Sequence, residues 1–210
     1  MEASVPLGAG TRPVPLRSDP AEESVRGVLR VATAVEHQAL HDAAPFVRMA
    51  RGDMDLAGYA GLLQALYRFH SAVAPACRAG CVAIGASDLL RPVDERLDRL
   101  RRDLAHLGVE AASMPTDPVP EGPEGFAAGC LYTVQGSTLG GKVMHGWLQG
   151  LLPTAAGREF LQGGPEDGAL WRGFCANLEA YGADRGRLPA IVAGACSAFA
   201  LFRSCLGGCP

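Results

Sequence analysis

Lysine is almost missing from this chain of 210 residues: Lys142 stands alone, so nearly every positive charge is an arginine. Lysine plus arginine total 19 against 22 acidic residues, a net charge of −3. With no basic excess, the chain does not read as a nucleic-acid binder. Aromatics are 6% of the residues, but hydrophobic residues are 48% and charged residues 20%, which excludes a disordered or fibrous protein. The seven cysteines, at 77, 81, 130, 175, 196, 205 and 209, contain no C-x-x-C pair and are odd in number. The close ligand pairs of a structural zinc site are therefore lacking. Met1 to Pro20 has no apolar run of the secretory kind, so a cytoplasmic chain with reduced, mostly buried cysteines is expected. The longest apolar stretch, Leu188 to Phe202, is bounded by Arg187 and Arg203 and falls short of the roughly 20 residues of a membrane span. It predicts a buried core helix. Apolar–polar alternation and internal repeats are also absent.

Helical periodicity fills this frame. A chain of this length buries roughly 70% of its extended surface, enough for one domain without staples. Residues 1–18 read as a flexible N-terminal arm, and 19–210 as the helical domain. Asp19-Pro20-Ala21-Glu22 has the form of a helix start, with aspartate as N-cap and glutamate closing a capping box. The helix that follows is predicted to run to about Ala43, before Pro45. Leu29, Thr33, His37 and Leu40 share one of its faces. A second helix starts near Asp55, with Leu56, Tyr59, Leu62, Leu63, Leu66 and Phe69 as its stripe. A third covers about Asp88 to Leu107, and its charges, RLDRLRRDL, read as a solvated face. Gly108 to Gly125 reads as a loop, and two more helices occupy Asp167 to Tyr181 and Leu188 to Leu206. The fold class is all-α, a single-domain multihelical bundle.

The segment from 125 to 150, GFAAGCLYTVQGSTLGGKVMHGWLQG, also has helical spacing, yet it carries Gly125, Gly129, Gly136, Gly140, Gly141, Gly146 and Gly150. Each interior glycine costs about 1 kcal/mol against alanine, so something must offset several of them. Either neighbouring backbones pack closely here, or a flat ligand lies against the helix at Gly136, Gly140 and Gly141. A phosphate loop is excluded, because Lys142 is followed by Val143 rather than a hydroxyl and no strand precedes it. Among the five histidines, His37 stands out: it lies on the apolar stripe of the first helix, with Arg30 two turns earlier. His41, four residues on, could face the same metal, but there is no intervening glutamate and no third ligand nearby.

These residues carry a family resemblance. Leu29-Arg30-Val31-Ala32-Thr33-Ala34-Val35-Glu36-His37 resembles the proximal-helix signature of haem oxygenases. Leu131-Tyr132-Thr133-Val134-Gln135-Gly136-Ser137-Thr138-Leu139-Gly140-Gly141 is similar to the distal-helix signature of their bacterial, biliverdin-producing, phytochrome-associated branch, roughly L-Y-V-x-E-G-S-x-L-G-G. The two lie about 100 residues apart, and the likeness covers about 22 to 206.

The resemblance implies an all-α haem-oxygenase-like bundle that binds haem as both cofactor and substrate. It would cleave haem with O2 and external electrons to biliverdin, carbon monoxide and ferrous iron. His37 would be the axial iron ligand through a neutral imidazole. Arg30 and Tyr132 would hold the propionates, Arg172 would add a second basic contact, and Thr33 would line the haem. Gly136 and Gly140 would let the distal helix bend over the iron, Gly141 would extend that stretch, and Ser137 would order distal water. Electrons would come from a reductase or ferredoxin, and biliverdin could pass to a photoreceptor. Two positions depart from the pattern: His41 replaces an acidic residue one turn after the ligand, and Gln135 replaces a glutamate. Cys209-Pro210 is a single terminal copy of a haem-sensing dipeptide. The alternatives are a haem-binding or trafficking protein of the same fold without turnover, and a helical interaction module whose glycines pack helices.

Overall fold

The computed structural model describes residues 24–111, 119 and 121–207. The arm at 1–18, the helix start at Asp19–Glu22 and Cys209-Pro210 lie outside the described residues. All regular structure among the described residues is helical. In chain order the α-helices are α1 (Val25–Ala32), α2 (Ala34–His41), α3 (Ala44–Arg51), α4 (Leu56–Ala83), α5 (Leu90–His106), α6 (Phe126–Trp147), α7 (Glu159–Gln162), α8 (Asp167–Tyr181) and α9 (Leu188–Leu206).

The first helix is not continuous to Ala43. It starts where the Ser24 side chain accepts from the Gly27 N–H at 2.9 Å, and it breaks at Thr33. There φ is −108° and ψ is 9°, and the buried hydroxyl donates to the Leu29 carbonyl at 2.8 Å. A threonine that bonds a carbonyl one turn back competes with the helical ladder and turns the chain. Pro45 does not merely stop a helix; it opens α3 from its first turn, where a missing N–H costs nothing.

Helix α4 begins at Asp55, whose carboxylate accepts from the Gly58 N–H at 2.7 Å. Its buried face includes Tyr59, Leu62, Leu63, Leu66 and Phe69, while Leu56 is 50% exposed. The charged face expected on α5 is only partly solvated. Arg96 and Asp103 fall at i and i+7 on the same stripe as Leu100 and Leu104, and both are buried. Asp103 accepts the backbone N–H groups of Glu159 and Phe160, each at 2.8 Å, capping α7. Tyr59 donates to the Gly157 carbonyl at 3.0 Å, so the chain between α6 and α8 is tied from two sides.

Helix α6 lies at the centre, flanked by α4 and α9. The α6–α9 crossing depends on glycine. A Cβ on Gly129 would stand 1.9 Å from the Ile191 carbonyl oxygen, and one on Gly194 would stand 1.9 Å from that of Phe126. Gly80 on α4 is similarly tight against the Ala127 carbonyl at 2.6 Å. The segment Arg185–Leu206 has the length and hydropathy to cross a membrane, with a mean hydropathy of 1.5. Ile191, Ala195, Ala198 and Phe202 of α9 are nevertheless buried in the core, as its sequence predicts.

Two outcomes follow from this packing. Gly129→Ala should lower unfolding free energy by about 1–3 kcal/mol in urea titrations, the usual cost of overpacking. His70 lies buried between the rings of Phe69 and Phe160, each 5.1 Å away. Burial, reinforced by Arg96, holds its imidazole well below the ordinary 6.5. The folded state therefore binds fewer protons than the unfolded chain, and stability is lost as pH falls below about 6.5. The expected slope is about 1.4 kcal/mol per pH unit; His70→Gln should flatten it, and an unchanged slope would disprove the assignment.

Candidate functional site

The glycines of α6 divide into two kinds. Gly129 is filled by backbone, as described above. At Gly140 an added Cβ would meet nothing within 4 Å among the described residues, and at Gly136 it would meet just the Trp171 ring edge at 3.9 Å. Helix packing accounts for the first kind and not the second. Leu139 and Val143 accompany them on an exposed face, 46% and 56% accessible, with Trp147 at 47%. An apolar face that exposes glycine backbone and large side chains together suits a flat apolar ligand.

Local bonding softens the helix at that point without interrupting it. Ser137 Oγ donates to the Val134 carbonyl at 2.8 Å and Thr138 Oγ1 to the Gln135 carbonyl at 2.6 Å. Such back-bonding bends helices. Gly141 is not on the open face: it is buried, with the Leu161 carbonyl 3.3 Å from where its Cβ would be. It serves contact with α7 rather than the ligand face.

His37 sits on α2 as an exposed residue, and its backbone N–H bonds the Thr33 carbonyl at 2.9 Å. The Thr33 break thus sets where α2 starts and where His37 points. Its imidazole faces rings rather than acceptors, with His41 at 4.6 Å and Phe199 of α9 at 6.2 Å between centroids. Burial, with a smaller push from His41, holds His37 below 6.5, which favours the neutral form a metal needs. No three His, Cys, Asp or Glu side chains converge into a metal cage among the described residues. His37 and His41 therefore remain a pair at most, enough for an iron whose other ligands come from a macrocycle.

Tyr132 lies on α6 one turn before Gly136. Burial pushes its phenol up, while Arg26 and Arg30 of α1 pull it back, which places both guanidinium groups near it. Arg30 is exposed; Arg26 also reaches Glu179 at 3.7 Å. Glu179 in turn accepts the Val25 and Arg26 N–H groups at 2.8 and 3.1 Å, so α8 caps α1. Arg172 is exposed on α8 and lines an open groove with Ser24, Arg26, Trp171, Cys175 and Glu179. The expected site residues thus form two groups. Arg30 acts electrostatically on Tyr132 and Arg172 lines a groove that includes neither of them, while Thr33 and His37 lie along the junction of α1 and α2. Arg26, Trp171 and Phe199 were not expected from sequence. Arg26 is one turn before Arg30 on the same face, a visible signal, whereas Trp171 and Phe199 come from helices whose register against α6 and α2 no local pattern encodes.

Comparison with known proteins extends the picture. A family model described as Heme oxygenase matches residues 24–207. A curated protein named Heme oxygenase from Xanthomonas campestris pv. campestris (strain 8004) is 37% identical over 114 residues, which cover 53% of this chain and 67% of the relative. The fold is similar to the crystal structure of the NO- and CO-bound heme oxygenase of Neisseria meningitidis, with a TM-score of 0.75 and 24% identity over 87% of this chain and 90% of that one. It is also similar to heme oxygenase from Leptospira interrogans, with a TM-score of 0.68 and 17% identity over 87% and 98% of the two chains.

The open face makes a direct prediction. Gly140→Ala should raise the stability of the ligand-free chain by about 0.5–1 kcal/mol, because helix propensity improves and nothing is displaced. A loss in urea unfolding would mean that the position is packed after all.

Proposed function

The chain belongs to the haem oxygenase family, and from that premise we propose that it degrades haem in a cleft between His37 and the open glycine face of α6. Haem and O2 are the substrates, with biliverdin, carbon monoxide and ferrous iron as products. The observation that carries this reading is the face at Gly136 and Gly140, where two backbone positions next to exposed Leu139 and Val143 are left uncovered while Gly129 and Gly141 of the same helix meet backbone; Gly146, nearer the helix end, is open as well.

His37 is the iron ligand in this reading, and its lowered basicity keeps the lone pair available near neutral pH. Bound haem supplies the redox-active iron at which O2 is activated and the ring that is opened. The chain supplies placement. Phe199 and His41 stand edge-on to the imidazole. His41 brings no carboxylate charge to it, so the ligand donates less strongly than an imidazole paired with an acid. Arg30 and Tyr132 bind the carboxylates at the edge of the ring, and Arg26 and Arg172 extend that cationic rim. Gly136 and Gly140 allow backbone to approach the ring where a side chain would bar O2, and Leu139 and Val143 exclude water. Ser137 keeps a hydroxyl beside this stretch for water that delivers protons. Thr33 fixes the start of α2. Electrons come from a reductase or ferredoxin in the cytoplasm, and a biliverdin-accepting photoreceptor is the proposed recipient of the product.

A visible spectrum with one equivalent of hemin tests this. A Soret band should form, then decay as biliverdin absorption grows once reductant is added in air with catalase present. A band that persists would make the chain a haem carrier, and no band would refute the site. His37→Ala should lose axial ligation and turnover, and added imidazole should restore the ligated spectrum while the helical circular dichroism stays unchanged.

A further inference from the structure

Where α5 meets α6, a positive charge is buried with no carboxylate hydrogen-bonded to it among the described residues, and Asp167 acts on it through space alone. Arg96 is 7% exposed, and its guanidinium donates to two neutral acceptors, the Val134 carbonyl at 2.8 Å and Gln135 Oε1 at 3.0 Å. A guanidinium has five N–H donors, so these bonds leave donors over. The nearby acids are engaged elsewhere. Glu95 pairs with Arg91 and Arg99, and Asp167 takes Lys142 Nζ at 3.4 Å and the Gly164 N–H at 2.9 Å. Gln135 itself is 4% exposed, and its Nε2 is buried without a hydrogen-bond partner. The amide cannot simply be reversed, because Arg96 requires the oxygen on its side. Burial pulls the Arg96 guanidinium down to about 10, which still leaves it charged at neutral pH.

Both residues line a cavity of about 40 Å³, together with Arg99, Ser137 and Thr138 and the carboxylates Glu95, Glu166 and Asp167. One water requires roughly 10–15 Å³ measured in this way, so there is room for a single ion with a water. The open positions Gly136 and Gly140 do not line it. Burying a cation and an amide donor without acceptors is costly, and an anion in the cavity would answer both at once. The lining carboxylates would repel a multiply charged anion more strongly than a singly charged one.

We infer that the Arg96–Gln135 cavity is a binding site for a small monovalent anion of the chloride type, held by the guanidinium and the Gln135 amide. It does not depend on the haem reading, and its test uses the haem-free chain. Thermal unfolding at fixed ionic strength, with chloride exchanged for the larger gluconate, should show a saturable rise in Tm of about 5 °C on the chloride side. Broadening of the 35Cl resonance by the protein should accompany it. Gln135→Glu places a carboxylate against Arg96, so this variant should fold with a Tm that no longer responds to chloride and with the broadening lost. Arg96→Met should lose both signals as well; if it fails to fold, Gln135→Glu decides. An unchanged wild-type Tm without 35Cl broadening would overturn the site. So would a Gln135→Glu variant that keeps the full chloride response.

Discussion

Two glycines facing one another across the α6–α9 crossing govern how far apart the rest of the molecule stands. With no Cβ at Gly129 or Gly194, each helix lays a carbonyl against the other's backbone. Thr133 Oγ1 reaches the Ala195 carbonyl at 3.2 Å and Cys130 Sγ that of Gly194 at 3.4 Å, bonds that exist because the approach is so close. From this crossing α9 continues to Phe199 under His37, and α6 continues to Gly136 and Gly140. The two sides of the proposed haem site are thus carried by two helices that share one fixed point, and larger residues there would displace both.

Charged side chains do the remaining positioning. Glu179 holds the start of α1, Asp103 the start of α7, and Arg96 the backbone of α6 two residues before its open stretch. Each ties together helices remote in sequence, and two of the three meet backbone rather than an opposite charge. A carboxylate at a helix start is matched to the donors it finds there, which makes such ties strong and directional.

Much of this architecture was legible in the sequence. Asp167 to Tyr181 and Leu188 to Leu206 emerge with the bounds their periodicity gave, since each is a long amphipathic or apolar run between breakers. The break at Thr33 was not legible, because a threonine looks the same in a helix whether its hydroxyl bonds backward or faces solvent. Arg96 and Asp103 were read as solvated although they share the leucine spacing of α5, and charge overrode position in that reading. Of the proposed site, His37, Arg30 and Tyr132 follow from signature and face. The glycines of α6 could not be sorted in advance, because whether Gly129 or Gly140 is covered depends on where α9 and α7 lie.

The uncovered face of α6 also bears on the lifetime of the protein. Leu139, Val143 and Trp147 are apolar surface left uncovered among the described residues, so haem bound at the proposed site would complete the fold as well as being consumed by it. Each turnover then removes a structural component, and the moments after product leaves are those in which local opening, and attack by proteases, are easiest. Abundance in the cell would track haem supply even at constant synthesis, with the substrate acting as the signal that preserves its own destroyer.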